Sequence, residues 1–369
     1  MSDNKSGPSA PILEVSQPTE TIATRKRISD KQQDQSFLGK LRYNMQFIRG
    51  RGAFEIGIVF VLIFLGFTIA SLVSPSDFPF LSAANFSGVL TQSVPLLAIL
   101  AIGVGILMVA GEFDLSLGFA LTFNAIVFIR VSEAFGPVAG IFAGLASGVL
   151  IGLVNGAIVV FTKIPSFIAT LGMGFFWGGA SIFINGATAA ALPPAISAEG
   201  SWFEFLFAHN FGPFRSQLVW LVIVGIIGWL FLQRHRRGNH IFAVGGNAAA
   251  AMAISINPTK VKLMAFGIEG LLVGFASILF VARISSVQPG GTATQEFTLF
   301  AVAAAVVGGT ALLGGRGTII GMIIGAALIE VIKNGLILAK APGFYLQLFV
   351  GVTIIIAAIF NRYMERKAS

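Results

Sequence analysis

Residues 56–73, IGIVFVLIFLGFTIASLV, and residues 87–110, SGVLTQSVPLLAILAIGVGILMVA, carry no charged side chain. A hydrocarbon core of roughly 30 Å is crossed by about 20 apolar residues in a helix, and both stretches have that length. Working outward, similar runs occupy 113–130, 138–161, 165–184, 217–233, 262–281, 298–313, 318–336 and 344–360. The chain is therefore read as all-α, a polytopic transmembrane bundle of about ten helices filling residues 55–361.

Composition points the same way. Of 369 residues, 55% are hydrophobic and 11% charged, and glycine numbers 44. The mean hydropathy is +0.86. Soluble domains do not have this balance, and ten spans leave little chain for a catalytic appendage. The sequence has no Cys, which removes disulfides and thiolate metal sites. His209, His235 and His240 show neither HxxxH nor HExxH spacing, so no metal site is expected. No nucleophile with a base and no cofactor loop appears, and an enzyme is not expected.

The net charge of +8 sorts by membrane side. Alternating spans from a cytoplasmic N-terminus put both termini inside. Nine basic residues then lie in the N-terminal tail: Lys5, Arg25, Lys26, Arg27, Lys31, Lys40, Arg42, Arg49 and Arg51. Lys163, Arg234, Arg236, Arg237, Lys260, Lys262, Arg316, Arg362, Arg366 and Lys367 join them inside. Arg130, Arg215, Arg283 and Lys340 are left outside, with Lys333 in a helix. This obeys the positive-inside rule, so the basic charge calls for membrane lipid and not for nucleic acid.

Residues 1–34 are polar and read as a disordered cytoplasmic tail. Residues 35–54 place Phe37, Leu41, Met45 and Ile48 near helical spacing among basic side chains, an amphipathic juxtamembrane segment. Residues 362–369 form a short cytoplasmic tail, and no signal peptide is expected because the first apolar run begins so late. The outer loop from Asn185 to Gln217 holds Trp202, Phe203, Phe205 and Phe207, a short interfacial helix. The inner loop from Arg234 to Lys262 passes from a basic cluster through a Gly-Gly-Asn turn into an Ala-rich helix. Such a helix has no core of its own and invites a protein partner.

Function is sought in the polar and glycine-rich places among the spans. Gly111 to Gly118, GEFDLSLG, sets two carboxylates between apolar runs, where they face a cavity or partner group, or where Asp114 caps the next helix. A second break, Gly308 to Gly317, aligns with it when Gly111 is set on Gly308. Paired breaks in two halves suit a transport pathway. Glu330 and Lys333 are three apart, the spacing of an intramembrane ion pair. Gly144, Gly148, Gly152 and Gly156, and again Gly317, Gly321 and Gly325, form faces for close helix packing.

These residues resemble those of the membrane permease subunit of bacterial ABC importers for monosaccharides, the ribose/xylose/arabinose/galactose type. GEFDLSLG is similar to the family's G-G-x-D-L-S-x-G, and Gly152 to Met173 to its N-G-x-x-V…I-P-x-F-I-x-T-L-G stretch. Gly238 to Asn247 is similar to its inner loop, and VARISSVQPGG with the later glycine block to its Q-P…G-G-T-x-L-x-G-G segment. The chain departs from the pattern at Asn239, where Arg is common, at Ala248 to Met252, where charged residues are common, and at Thr298 and Phe300, where acids are common.

The resemblance implies a permease in the bacterial inner membrane with no chemistry and no cofactor of its own. It would pair with a second permease subunit, as homo- or heterodimer. A periplasmic substrate-binding protein would deliver a sugar-like solute, and cytoplasmic ATPase subunits would bind ATP and Mg. Asp114, Ser116, Asn155 and Gln288 would line or gate the path, and neutral hydrogen-bonding groups among them suit a polyol. Gly238, His240, Gly245, Gly246, Asn247, Ala250 and Ile256 would belong to the loop that couples to the ATPase. Related permeases for nucleosides or autoinducer-like compounds share these motifs. A different class, an ion-coupled secondary transporter, would need Glu269, Glu330 or Asp114 to titrate during turnover.

Overall fold

The computed structural model describes residues 53–345, together with 348, 351, 352 and 355. The tail, nearly all of the amphipathic segment, most of the 344–360 span and both termini lie outside the described residues.

Helix α1 covers Ala53–Val73. Helix α2 runs over Ala83–Val109 and includes a π-helical stretch, Phe86–Ser93. Helices α3 (Leu117–Phe135), α4 (Pro137–Thr162) and α5 (Ser166–Asn185) follow with short turns. The outer loop holds β1 (Ala190–Ala191), α6 (Pro194–Ser197), α7 (Trp202–Phe207), β2 (Asn210–Phe211) and β3 (Phe214–Arg215). Helix α8 is Ser216–Arg234, and α9 (Arg236–Gly246) and α10 (Ala248–Ala253) make up the inner loop. Helix α11 (Pro258–Ile284), β4 (Ser286–Val287), α12 (Gln295–Val307) and α13 (Ile319–Leu338) complete the order. β1 pairs antiparallel with β4, and β2 with β3.

Among the described residues eight helices are long and apolar enough to cross a membrane. They coincide with eight of the expected spans. The 298–313 stretch departs from expectation, because α12 stops at Val307 after 13 residues. At 1.5 Å per residue that is about 20 Å, short of a hydrocarbon core. Gly308 and Gly309, the latter at φ 88°, end it.

Helix α2 sits at the centre. Every residue from Val94 to Val109 is buried, with α8, α11, α12 and α13 packed around it. Apolarity on all sides permits this enclosure without requiring it, since α1 is as apolar and only 6% of its Ile56–Val73 stretch is buried. Gly144, Gly148, Gly152 and Gly156 of α4 lie against Phe266, Gly270 and Gly274 of α11. A Cβ at Gly156 would come within 2.8 Å of the Phe266 Cβ, and one at Gly274 within 2.6 Å of the Gly144 carbonyl. Gly321 and Gly325 bring α13 equally close to Gly308 and Ala304. Close backbone approach substitutes here for the hydrophobic force that lipid does not supply.

The aromatic outer loop forms its short helix as expected. Ser201 caps α7 by accepting from the Glu204 N–H. Phe203 and Phe207 are buried, stacked on Phe128 and Trp220 respectively.

Candidate functional site

The first glycine break begins as a helix cap. The Gly111 N–H donates to the Met108 carbonyl and the Glu112 N–H to that of Leu107, with Gly111 at φ 84°. This is a Schellman ending, which needs a left-handed residue at one position. The second break repeats it: Gly309 N–H donates to Val306 and Thr310 N–H to Ala305. Gly111 is thus the structural counterpart of Gly309, one residue away from the Gly111-on-Gly308 alignment. The repeat is one of helix ends, and the loops beyond them differ.

Past Gly111 the chain turns back into the bundle. The Phe113 N–H donates to Ser166 Oγ at 3.0 Å and the Leu115 N–H to Thr170 Oγ1 at 2.9 Å, which staples the loop to α5. Asp114 Oδ1 accepts from the Ser116 N–H at 2.6 Å and Oδ2 from Asn155 Nδ2 at 3.0 Å. Asn155 Nδ2 also donates to Ser116 Oγ at 2.7 Å, and Asn155 Oδ1 accepts from Trp177 Nε1 at 3.2 Å. Asp114, Ser116 and Asn155 are each at most 1% exposed. Burial pushes the Asp114 carboxyl up from its ordinary value, and the Ser116 and Asn155 hydrogen bonds pull it part of the way back.

Three of the four expected path residues therefore meet, but they close on each other. Gln288 does not join them. It is exposed beyond β4, at the far end of the bundle. The chain then descends between α3 and α5, with Gly290 N–H donating to Ser181 Oγ at 2.7 Å. Thr294 Oγ1 donates to the Gly118 carbonyl at 2.7 Å, and Gly118 N–H donates to Thr298 Oγ1 at 2.9 Å. Side-chain hydroxyls thereby join the start of α3 to the start of α12. Position 118 must be glycine, since a Cβ would fall 2.8 Å from the Gln295 Cα.

Glu112 turns the other way and forms an ion pair with Lys262. Both border a cavity of about 310 Å³ with Lys163, Pro165 and Ser166. Glu330 and Lys333 do not form the expected ion pair. Among the described residues the ion pairs are Arg130–Glu133, Glu204–His209 and Glu112–Lys262. Lys333 instead extends its ammonium over the Phe300 ring, 5.2 Å from the centroid. Glu269 is 2% exposed, with Oε1 lacking a hydrogen-bond partner among the described residues.

The inner loop contains two helices in place of a turn and one. Gly245 and Gly246 close α9, and the turn falls at Asn247, whose Oδ1 accepts from the Ala250 N–H and caps α10. The glycine pair lets α9 press onto both breaks. A Cβ at Gly245 would collide with the Val109 carbonyl, and one at Gly315 would fall 2.7 Å from the Gly246 Cα. The Gly315 N–H donates to the Val109 carbonyl at 2.9 Å. Gly238, Ile241, Val244 and Ala251 are buried against the bundle, and His240 and Ile256 are half-buried. Ala249, Ala250, Met252 and Ile254 are left exposed.

The model of the family described as branched-chain amino acid transport system, permease component, matches residues 85–358. The chain belongs to this family. The permease is 33% identical over 296 residues to the ribose import permease RbsC of Escherichia coli, covering 79% of this chain and 89% of that protein. It is 31% identical to the fructose import permease FrcC of Rhizobium meliloti, over 79% of this chain and 81% of that one. With the L-arabinose permease AraH of Azospirillum brasilense it shares 30% identity, over 84% and 88%. No solved structure matches it. The permease is a multi-pass membrane protein, and the motifs quoted from its sequence fall inside the matched region.

Ser166, Thr170 and Trp177 were not singled out from the sequence. Ser166 and Thr170 fall in the quoted Gly152 to Met173 stretch, but only contact in space shows that they hold the Phe113 and Leu115 N–H groups, and that Trp177 holds Asn155.

Proposed function

We propose that the permease is the membrane-spanning subunit of an ATP-binding-cassette importer in the bacterial inner membrane, moving a monosaccharide or similar polyol. The observation that carries this reading is the seat of α9 on both glycine breaks, through Gly245 and Gly246. A push on that platform reaches the end of α2 and the loop before α13 together. The exposed Ala249, Ala250, Met252 and Ile254 offer an apolar surface at the basic, cytoplasmic end, where an ATPase subunit would dock. ATP and Mg belong to that partner, and the permease itself supplies no catalytic group.

The relatives carry ribose, fructose and arabinose in their names, which supports a neutral sugar delivered by a periplasmic binding protein. A second permease subunit would complete the path. In this reading Asp114, Ser116 and Asn155 act as a sealed gate element, holding the first break in register with α4 and α5. Gln288 stands at the outer entrance.

The test is uptake of radiolabelled D-ribose, D-fructose, L-arabinose and nucleosides into vesicles that hold the permease, its ATPase and its binding protein. ATP-dependent uptake of a sugar is expected. Uptake that ignores ATP and collapses with the proton gradient would replace this reading with an ion-coupled carrier.

A further inference from the structure

One set of charges is used neither by the Asp114 network nor by the α9 seat. Helix α12 has 13 residues, so Gln295 stands about 18 Å above Val307. On α13, Glu330 and Lys333 stand about 17 and 21 Å above Ile319. The two helices share a base, because Gly308 packs on Gly321. Gln295, Glu296, Glu330 and Lys333 thus occupy one level, well inside a core of roughly 30 Å.

At that level Gln295 and Glu296 are exposed. Glu330 is buried, and Lys333, Arg283 and Glu296 are the charges that act on it. An ionised side chain near mid-membrane costs about 2.5–3.5 kcal/mol on insertion scales when lipid surrounds it. Two polar side chains on one exposed turn, with further charges behind them, do not make a lipid-facing surface. They line water. A helix that begins part-way through the membrane is also where transporters of other architectures set their solutes.

The signs select the ligand. Groups of both signs lie together here, Glu296 and Glu330 with Lys333 and Arg283, and Arg215 acts on Arg283 in turn, so no single charge on a solute meets only its opposite. A neutral polyol gains most, since its hydroxyls donate to carboxylates and accept from an ammonium. We propose that this level of α12 and α13 is the permease's solute-contact site, with Gln295, Glu296, Glu330 and Lys333 facing the hydroxyls of a neutral polyol. The assignment rests on the transport reading above and places the contact site beside the sealed Asp114 network, on the other side of Gly118, which packs on Gln295.

The absence of Cys from the sequence makes the test direct, because label on this chain, separated from its partners by gel, comes from the one introduced thiol. The full importer in vesicles would carry Glu296→Cys, or Gln295→Cys should the first fail to assemble. The reference is Phe175→Cys, at an exposed position midway along α5. A membrane-impermeant thiosulfonate is added from the outer side. Reaction at position 296 at least about tenfold faster than at 175 is expected, because a thiol in hydrocarbon does not ionise. Equal rates, whether or not the variant takes up sugar, would overturn the site, and uptake by the unsubstituted importer would leave the transport reading standing. Labelling needs no uptake by the variant, so failure of the unsubstituted importer to move any sugar sinks the transport reading separately.

Discussion

Asp114 accepts through both oxygens, from a backbone N–H and from an amide, in a pocket without solvent. Asn at this position must turn its own NH2 toward one of those donors. The buried donor left unmatched costs about 1–3 kcal/mol. Asp114→Asn is therefore expected to lower the thermal midpoint of the purified permease and to cut uptake severalfold; unchanged melting and uptake would remove the network from the mechanism. Glu269 differs, since its Oε1 has no hydrogen-bond partner among the described residues. Gln keeps its shape and removes the charge. Glu269→Gln is expected to retain uptake within about twofold, a free-energy change well under 1 kcal/mol. Abolished uptake in a well-folded variant would point to proton coupling.

Between elements, glycine decides how near two backbones come. Gly148 lies where α4 meets Gly270 and Gly274 of α11, and a Cβ there would lie 2.9 Å from the Gly274 Cα. Gly148→Leu is expected to cost about 3 kcal/mol or more through overpacking and to give an aggregated elution profile. Gly245 has the same constraint with a different outcome, because α9 lies outside the bundle. Gly245→Val should leave the spans folded while lifting α9 off the Val109 carbonyl. Binding of the ATPase subunit, measured by co-purification, is expected to fall, and full co-purification would refute the seat. The eight long spans and the close-packing glycines were legible because length, absence of charge and small-residue spacing are local properties. The length of α12 was not, since apolar residues continue past Val307 and only the cap at Gly309 shows where the helix stops. The Glu330–Lys333 pair failed for a related reason: helical spacing allows it, but the Phe300 ring that attracts the lysine comes from another helix.

At the scale of the whole molecule, one chain presents an incomplete surface to the membrane. The exposed turn at Gln295 and Glu296 continues to Leu299, which is 59% exposed on the same helix. Lipid would leave the polar part of this face unsolvated, whereas a second permease subunit opposite it would enclose a shared aqueous path. The assembled importer should then contain two such subunits, twice the 38.8 kDa of one chain when both are this sequence. Mass analysis in nanodiscs counts them. Because the sequence lacks Cys, Leu299→Cys adds a single thiol per chain, and a cross-linked band at twice the mass of one chain reports a bridge to another copy. A disulfide requires Cα atoms within about 7 Å, so a flexible bifunctional maleimide is the better probe of two faces separated by water. Cross-linked dimers at Leu299→Cys, and none at Phe175→Cys on α5, are the expected result for a homodimer. Two subunits by mass with linking at neither position would put the α12 face against a different subunit, and a single subunit in the working importer would exclude a shared path.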